Sequence, residues 1–273
     1  MNRSGSDKYP ISVGSMLFTL VDPNRGHEVA YNRWYERDHF YAGCMTGPYC
    51  FSGSRWVATR ELKKLRFPAD ATNGVTRPWD SGSYLAVYWV EAGHHADHFA
   101  WAADQVVRLY ADGRGFDERQ HAHTALYDHV EDVYRDDDPV PVELALDHGY
   151  AGLVVVAVER EDGVSAADLG SWMFDDGLPP VLDDGPVASC ATWAPVQFQQ
   201  DTTRQAPMDL GTSPGGLGRA MQLFFLEEEP AKSWERFVDY GRRVNKSGLA
   251  TAVFAAPFLA TVVGTDTYSD ELW

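Results

Sequence analysis

His39 is the residue of this chain best suited to acid–base chemistry. The pKa of an imidazole lies near neutrality, so it can accept and release a proton within one reaction cycle. The helical periodicity of residues 27–39 places Tyr35 and Glu36 about one turn before it, within reach of its ring. Asp38 could orient the imidazole or a water molecule. We therefore take His39, Tyr35 and Asp38 as candidate catalytic residues.

Aromatic side chains are concentrated around this position. Tyr31, Trp34 and Tyr35 share one face of the predicted helix, and five of the nine tryptophans belong to the first half of the chain. Aromatic residues at this spacing form either a core or the wall of a ligand pocket. Hydroxyl groups between two sheets would suit a phenolic or polycyclic substrate. We predict that Tyr31, Trp34, Trp56 and Trp89 bind such a substrate.

Two further groups of histidines offer alternatives. His94 and His98 are four residues apart at the start of a predicted helix, a spacing that can hold a metal ion on one face. His121 and His123 alternate as on a strand, so both are expected to face one side. Any of these four could also be the axial ligand of a haem. Because such histidines are commonly solvated, we predict no metal site and keep His94 and His98 as the alternative.

Composition and charge argue against several classes of function. With 23 basic and 40 acidic residues, the net charge of −17 repels phosphate backbones, so nucleic-acid binding is not expected. No stretch approaches the ~20 apolar residues of a membrane helix, and the N-terminal residues lack the apolar run of a signal peptide. The three cysteines form no Cys-x-x-Cys pair, which favours a reducing cytoplasm. No phosphate-binding glycine loop and no nucleophile elbow are found.

The chain repeats a pattern of residue types at an offset of 138 positions. Apolar runs also register at this offset, residues 16–20 over residues 154–158, and no gap is needed between residues 14 and 109. Several rare residues in one register indicate an internal duplication. The matched residues are Trp34 and Trp172, Asp38 and Asp176, Phe99 and Phe237, and Gly47-Pro48 and Gly185-Pro186.

Hydrophobic periodicity gives each copy the element order β-α-β-β-α-β. The first copy has predicted strands over Ser15–Val21, Tyr49–Ala58, Tyr84–Glu91 and Thr124–Tyr134, with helices over His27–His39 and Ala96–Ala111. The second copy has predicted strands over Leu153–Glu159, Val187–Val196, Ala220–Glu227 and Leu249–Val263, with helices over Ala166–Phe174 and Lys232–Lys246.

This order is that of the ferredoxin-like split β-α-β fold, whose four-stranded sheet carries helices on one face only. The bare face must be covered, and a second identical sheet is the natural cover. We therefore predict the α+β class: two tandem ferredoxin-like βαββαβ repeats, residues 1–138 and 139–273, forming a pseudo-symmetric α+β barrel. The first repeat is expected to hold the active site and the second to act as scaffold.

The first helix carries a motif that resembles a known superfamily. Residues 32–35 (Asn-Arg-Trp-Tyr), followed after three positions by His39 and then by Gly-Pro at residues 47–48, are similar to the dimeric α/β-barrel superfamily. The similarity is greatest to its EthD-like and antibiotic-biosynthesis-monooxygenase-like branches, where this helix typically ends in Trp-Tyr-x-x-x-His before Leu-Pro. The superfamily includes cofactor-free oxygenases, polyketide cyclases, lactone isomerases and haem enzymes.

Each half departs from that motif in a different place. After His39 the chain has Phe40 and Tyr41 where the superfamily has Leu-Pro. The second half keeps Leu-Pro at residues 178–179 but has Gly177 in the position of the histidine. The first half has therefore kept the ionisable residue and the second half the turn.

These observations predict a small-molecule enzyme that acts on an apolar or aromatic substrate without an organic cofactor. His39 would transfer a proton in a cyclisation, isomerisation or dehydration. The alternatives, in order, are a cofactor-free oxygenase of the same fold, a haem-dependent enzyme, and a ligand-binding protein without catalysis. We expect a small-molecule substrate as partner, no contact with nucleic acid or membrane, and a homodimer.

Overall fold

Eight strands close into one antiparallel barrel in the computed structural model, which describes residues 2–3, 10–69, 73–196 and 206–273. Around the barrel the order is β5-β2-β4-β3-β9-β6-β8-β7, and β7 pairs with β5 to complete the ring; the short strand β1 adds to β5. The strands are β1 (Asn2–Arg3), β2 (Val13–Pro23), β3 (Cys50–Val57), β4 (Tyr84–Glu91), β5 (Arg119–Tyr134), β6 (Gly152–Arg160), β7 (Val187–Pro195), β8 (Arg219–Leu226) and β9 (Ala250–Ala260).

The helices pack on the outside of this barrel. In both halves the first long helix ends at a tryptophan and continues as a π-helix, which is a rare geometry often found at functional sites. The helices are α1 (Glu28–Trp34) with its π-helical extension Tyr35–Met45, α2 (Arg60–Lys63), α3 (His95–Ala111), α4 (Ala166–Trp172) with its extension Met173–Gly177, α5 (Pro179–Leu182) and α6 (Trp234–Ser247), and single 3-10 turns lie at Val142–Leu144 and Pro230–Ser233.

The predicted order of elements is confirmed, and the α+β class with it. Two boundaries in the first half differ by more than two residues. The first helix was expected to end at His39, but no glycine or proline interrupts it before Gly43, and its π-helical part runs to Met45. The strand expected over Thr124–Tyr134 begins at Arg119 instead. Both extensions matter, because they add residues to the site described below.

The interior of the barrel is a packed core rather than a binding cavity. Trp56 and Trp89 are both almost completely buried there, and the Trp89 ring stacks on Trp193 with centroids 4.6 Å apart. Aromatic side chains of this size fill the interior of an eight-stranded barrel. Our expectation of tyrosine hydroxyls facing a substrate between the sheets is therefore wrong, and Trp56 and Trp89 lie far inside the core.

The gapless alignment of the two halves fails at the first strand of each. Met16 and Phe18 of β2 point into the barrel, whereas Val154 and Val156 of β6 point outward at the helices. A slip of one residue moves every side chain of a strand to the opposite face. The offset holds at β4 and β8, where Leu85 and its counterpart at position 223 both face the barrel interior.

The C-terminal residues hold α1 against the first half of the barrel. Asn32 donates a hydrogen bond to the carbonyl oxygen of Thr265 at 2.8 Å, and the Gly264 amide donates to Glu36 at 2.8 Å. The Trp273 indole donates to Glu28 at 2.6 Å. These contacts fix the helix whose extension carries His39. Among the described residues, no helix is long and apolar enough to cross a membrane.

Candidate active site

A cavity of about 130 Å³ lies between the outer face of the first-half sheet and the two helices that cover it. An apolar cavity of about this size holds a single benzene-sized ring. Its walls come from β2, β5, α3 and the π-helical extension of α1, together with residues of the segment before β8. The lining residues are Leu17, Thr19, Val21, Tyr35, His39, Gly43, Cys44, Phe99, Ala102, Ala103, Val106, Arg119, His121, Thr124, Leu126, Ala206, Met208 and Leu210.

One position on the second helix of each half differs greatly in side-chain size. Ala102 of α3 lines the cavity, and Tyr240 stands 138 positions later on α6. Tyr240 is completely buried in the helix–sheet core of the second half, where its hydroxyl donates to Gln222 at 2.7 Å. The first half therefore has a small side chain at the position where the second half buries a tyrosine.

His39 presents an imidazole with no hydrogen-bond partner to this cavity, within the part of the chain that the structure describes. Its ring stacks on Trp34, with centroids 4.5 Å apart and planes 17° apart, and meets the edge of Tyr35 at 5.2 Å. Gly43 permits this position, because a Cβ there would lie 2.9 Å from the Nδ1 atom of His39. Burial, then the positive charge of Arg119, lowers the pKa of His39 to about 3. The imidazole is therefore neutral at pH 7.

On the opposite wall, four polar side chains of β2 and β5 form a hydrogen-bonded chain. Arg119 Nε donates to His121 Nε2 at 3.1 Å, His121 Nδ1 contacts the Thr124 hydroxyl at 2.7 Å, and that hydroxyl contacts Thr19 at 2.7 Å. Arginine can only donate, so the Nε2 atom of His121 accepts and its Nδ1 atom carries the proton. Thr124 then accepts from His121, and either hydroxyl of the Thr124–Thr19 pair can donate to the other. When Thr124 is the donor, the hydroxyl hydrogen of Thr19 is available to a group in the cavity.

A β-bulge produces this arrangement on β5. The register between β2 and β5 shifts between Leu20 and Val21, so that Leu20 pairs with His123 but Val21 pairs with His121. A bulge inserts one extra residue and re-aims the side chains beside it. His121 consequently faces the cavity, while His123 faces the barrel core beside Phe18. The expectation that both histidines face one side is wrong for this reason.

A second cavity, of about 350 Å³, adjoins the first and is polar. We call it the vestibule. Arg119, His121 and Met208 line both cavities. The other residues of the vestibule are Tyr110, Phe116, Asp117, Gln120, Pro207 and Asp209. The guanidinium group of Arg119 thus stands where an apolar chamber meets a polar one.

Tyr35 lines the cavity with its ring, but its hydroxyl points away from a ligand. The hydroxyl is 2.9 Å from that of Tyr88, and burial raises the pKa of Tyr35 well above its ordinary range. Asp38 lies outside the cavity in an ion pair with Arg114, which lowers the pKa of this carboxyl group. The structure therefore brings together His39 and the Tyr35 ring but not Asp38.

The remaining residues predicted to bind substrate do not line the cavity. Tyr31 is buried against Tyr35, with ring centroids 5.7 Å apart, and does not line the cavity. Trp34 lies under the His39 ring, and its indole donates to the carbonyl oxygen of Arg114 at 2.8 Å. Both residues position His39 and Tyr35. Trp56 and Trp89 belong to the barrel core.

The alternative histidines do not form a metal site. The ring of His94 stacks on Tyr49 at 3.6 Å, and His98 Nδ1 is bonded to the Pro48 carbonyl oxygen at 2.8 Å. The described residues contain no group of three or more histidine, cysteine or acidic side chains able to hold a metal ion. Both ring nitrogens of His123 are engaged, by Thr212 at 2.8 Å and Tyr127 at 2.7 Å.

The cavity does not fit a haem. Of the four histidines considered as axial ligands only His121 reaches it, and both of its ring nitrogens already have partners. A pocket for a drug-sized ligand measures about 300–1,000 Å³, whereas this cavity measures about 130 Å³. We therefore derive no step through a haem.

Sequence reasoning missed Thr19, Thr124, Arg119 and Ala102. Thr19 and Thr124 form a directly opposed cross-strand pair, which a sequence does not reveal before strand register is known. One signal was present: Thr19 is a polar residue inside the otherwise apolar run of residues 16–21. Such a residue on a helix-covered sheet face needs a polar partner.

Comparisons with known proteins establish the fold alone. No family profile matches the chain, and no curated protein sequence matches it. Similar solved structures include a candidate chlorite dismutase (TM-score 0.52, 9% identity, 96% of this chain and 100% of that chain). Another is an anthrone oxidase-like protein (TM-score 0.51, 9% identity, 94% of this chain and 98% of that chain). A third is a dye-decolorizing protein from V. cholerae (TM-score 0.50, 10% identity, 98% of this chain and 99% of that chain). The chain therefore shares the α+β barrel fold of these structures.

Proposed function

We propose that the chain is a small-molecule enzyme that removes a proton from an aromatic or enolisable substrate in the first-half cavity. One observation carries this proposal. His39, a neutral imidazole without a hydrogen-bond partner among the described residues, lines the same largely apolar cavity as Thr19, whose hydroxyl group can donate. A proton acceptor and an oxyanion donor in one cavity are the two groups that enolate or phenolate formation requires.

The chemistry follows from the states of these two groups. His39 is neutral and accepts the substrate proton at a ring nitrogen. The imidazolium ion that forms is stabilised by the substrate anion beside it, because an opposite charge within ~4–6 Å favours the charged form. Thr19 donates its hydroxyl hydrogen to the developing oxyanion. The apolar walls exclude water and strengthen both interactions.

We infer that the substrate anion then reacts with dioxygen. In this reaction a CH₂ group beside the ring loses its proton and gives an electron to dioxygen, and the two radicals combine to a hydroperoxide. Loss of water then leaves a carbonyl group, so that CH₂ and O₂ become C=O and H₂O. The anthrone oxidase-like protein of similar fold supports an oxidation. The small cavity volume also disfavours the folding of a polyketide chain for cyclisation.

Isomerisation remains the second candidate, since it begins with the same proton transfer and needs no further group. Oxygen uptake separates the two reactions. An oxygenase consumes one dioxygen molecule for each substrate converted, and His39→Gln abolishes that uptake. Turnover with no oxygen uptake would establish isomerisation, and an unchanged rate in His39→Gln would sink the assignment of His39. A native mass at a whole multiple of 30.4 kDa would confirm that no haem is bound.

We also propose that the halves arose by duplication, with the first as active half and the second as scaffold. The same strand order in both halves and the tryptophan before each π-helix support this proposal. We place the protein in a reducing cytoplasm, which agrees with its three free and buried cysteines. We expect a homodimer in solution, which a sedimentation measurement would test.

A further inference from the structure

We propose that the substrate of this site carries a carboxylate group, which Arg119 binds where the cavity opens into the vestibule. The inference rests on the proposed function, because it identifies the substrate class of the same site. In this arrangement the aromatic ring occupies the apolar chamber beside His39, and the carboxylate projects towards the polar one. The substrate class is therefore an aromatic monocarboxylate.

The hydrogen bonds of Arg119 leave donors available for such a group. Its Nε donates to His121 at 3.1 Å, one terminal nitrogen donates to the Phe116 carbonyl oxygen at 2.9 Å, and the other donates to the Tyr110 hydroxyl at 3.0 Å. A guanidinium group has five N–H donors. One N–H therefore remains on each terminal nitrogen, and two such donors match the two oxygens of a carboxylate.

The charge of Arg119 is also uncompensated by any close ion pair in the described part of the chain. All three of its hydrogen-bond acceptors are neutral, and its guanidinium lies 4.6 Å from the centroid of the Trp34 ring. A half-buried cation with neutral neighbours attracts an anionic ligand more strongly than one already paired with a carboxylate.

Two carboxyl groups of the protein line the same vestibule and weaken the attraction between Arg119 and an anionic ligand. Asp117 and Asp209 are both exposed, and Asp209 accepts a hydrogen bond from the Gly211 amide at 3.0 Å. Exposed charges are hydrated and screened, so they weaken the binding of an anion without cancelling it. They also disfavour a ligand with two negative charges, which is why we infer a monocarboxylate.

The test compares benzoate with its neutral isostere benzamide by titration calorimetry on the full chain. Benzoate is expected to bind at least tenfold more tightly than benzamide, since charge-assisted bidentate hydrogen bonds contribute roughly 10- to 100-fold in affinity. Arg119→Gln should remove that preference and leave benzamide binding unchanged. Arg114→Gln, with the same change of charge outside the cavity, should alter neither affinity. Equal binding of the two ligands by the native protein would overturn the proposal.

Further variants keep the outcome clear if Arg119→Gln does not fold. Asp209→Asn removes an exposed negative charge, so it should strengthen benzoate binding about twofold and leave benzamide binding unchanged; no change for benzoate would contradict us. Ala102→Tyr should abolish binding of both ligands. If benzamide binds and Ala102→Tyr abolishes it, but benzoate has no advantage, only the carboxylate inference fails. If neither ligand binds, the proposed function fails with it.

Discussion

The His39 imidazole lies flat on the Trp34 indole, with ring centroids 4.5 Å apart, and its ring nitrogens have no hydrogen-bond partner among the described residues. Stacking holds the ring in place without using either nitrogen. Most buried imidazoles are oriented by hydrogen bonds, as His123 is here by Thr212 and Tyr127. An imidazole that is positioned but unpartnered in a cavity is available to a ligand.

Replacing His39 by glutamine should abolish turnover and leave the fold intact. Glutamine keeps a polar group of similar length but cannot accept the substrate proton, and loss of a general base typically costs about 10²–10⁴ in kcat. Circular dichroism and thermal unfolding would check the fold, and kcat the chemistry. His94→Gln is the matched control, because His94 lies outside the cavity against Tyr49. Equal losses in both variants would contradict a special role for His39.

Thr19→Val should reduce kcat, whereas Thr19→Ser should retain most of the activity. Valine keeps the shape of threonine but removes the hydroxyl donor, and loss of one oxyanion donor costs about 10²–10³ in kcat. Serine keeps the donor and the contact with Thr124. KM should change little in either variant. A full-rate Thr19→Val enzyme would show that the oxyanion is stabilised by another group.

Ala102→Tyr should close the cavity and abolish ligand binding, because Ala102 lines the cavity and a tyrosine side chain there would occupy its space. Overpacking a core position costs about 1–3 kcal/mol in the free energy of unfolding. Because open space is present here, we expect the smaller value. Ala111→Tyr adds the same side chain at an exposed position of α3 and serves as control. Undiminished ligand binding in Ala102→Tyr would place the binding site elsewhere.

The stability of the protein should fall as the pH decreases below about 6.5. Burial lowers the pKa values of His39, His121 and His123 to about 3, from an ordinary value of 6.5. Between these limits the unfolded chain binds a proton at each histidine and the folded chain does not, so unfolding takes up protons and stability rises with pH. Each histidine contributes about 1.4 kcal/mol per pH unit in this window.

The contribution of one histidine can be isolated by comparison. Urea unfolding of the native protein and of His39→Gln between pH 4 and 7 should give slopes of the unfolding free energy that differ by about 1.4 kcal/mol per pH unit. Carboxyl groups affect both proteins alike and cancel in the difference. Identical slopes would mean that folding does not lower the pKa of His39.

Local sequence patterns were sufficient to predict the elements and the location of His39 on the first long helix. Apolar runs and helical periodicity report which residues are buried in an element, so they predicted the order of strands and helices. They do not report pairing between strands. The opposition of Thr19 and Thr124 and the bulge beside His121 depend on that pairing, and the sequence could not show either.

The sequence could not predict the position of the cavity, for a related reason. Aromatic residues near His39 indicated a pocket, but Trp56 and Trp89 alternate onto the inner face of the sheet and fill the barrel. The open space arises instead where Ala102 faces the outer side of the same sheet. An alanine on a helix gives no sign of a void until the neighbouring elements are packed around it.

The most direct test of the site is a crystal structure of the protein with phenol bound. We expect one ring in the first-half cavity, with its hydroxyl within about 2.6–3.2 Å of a His39 ring nitrogen and with the Thr19 hydroxyl donating to the same oxygen. That result would place a proton donor, its acceptor and the oxyanion donor together. Phenol bound elsewhere, or bound in the cavity with its hydroxyl turned away from His39, would contradict the proposed function.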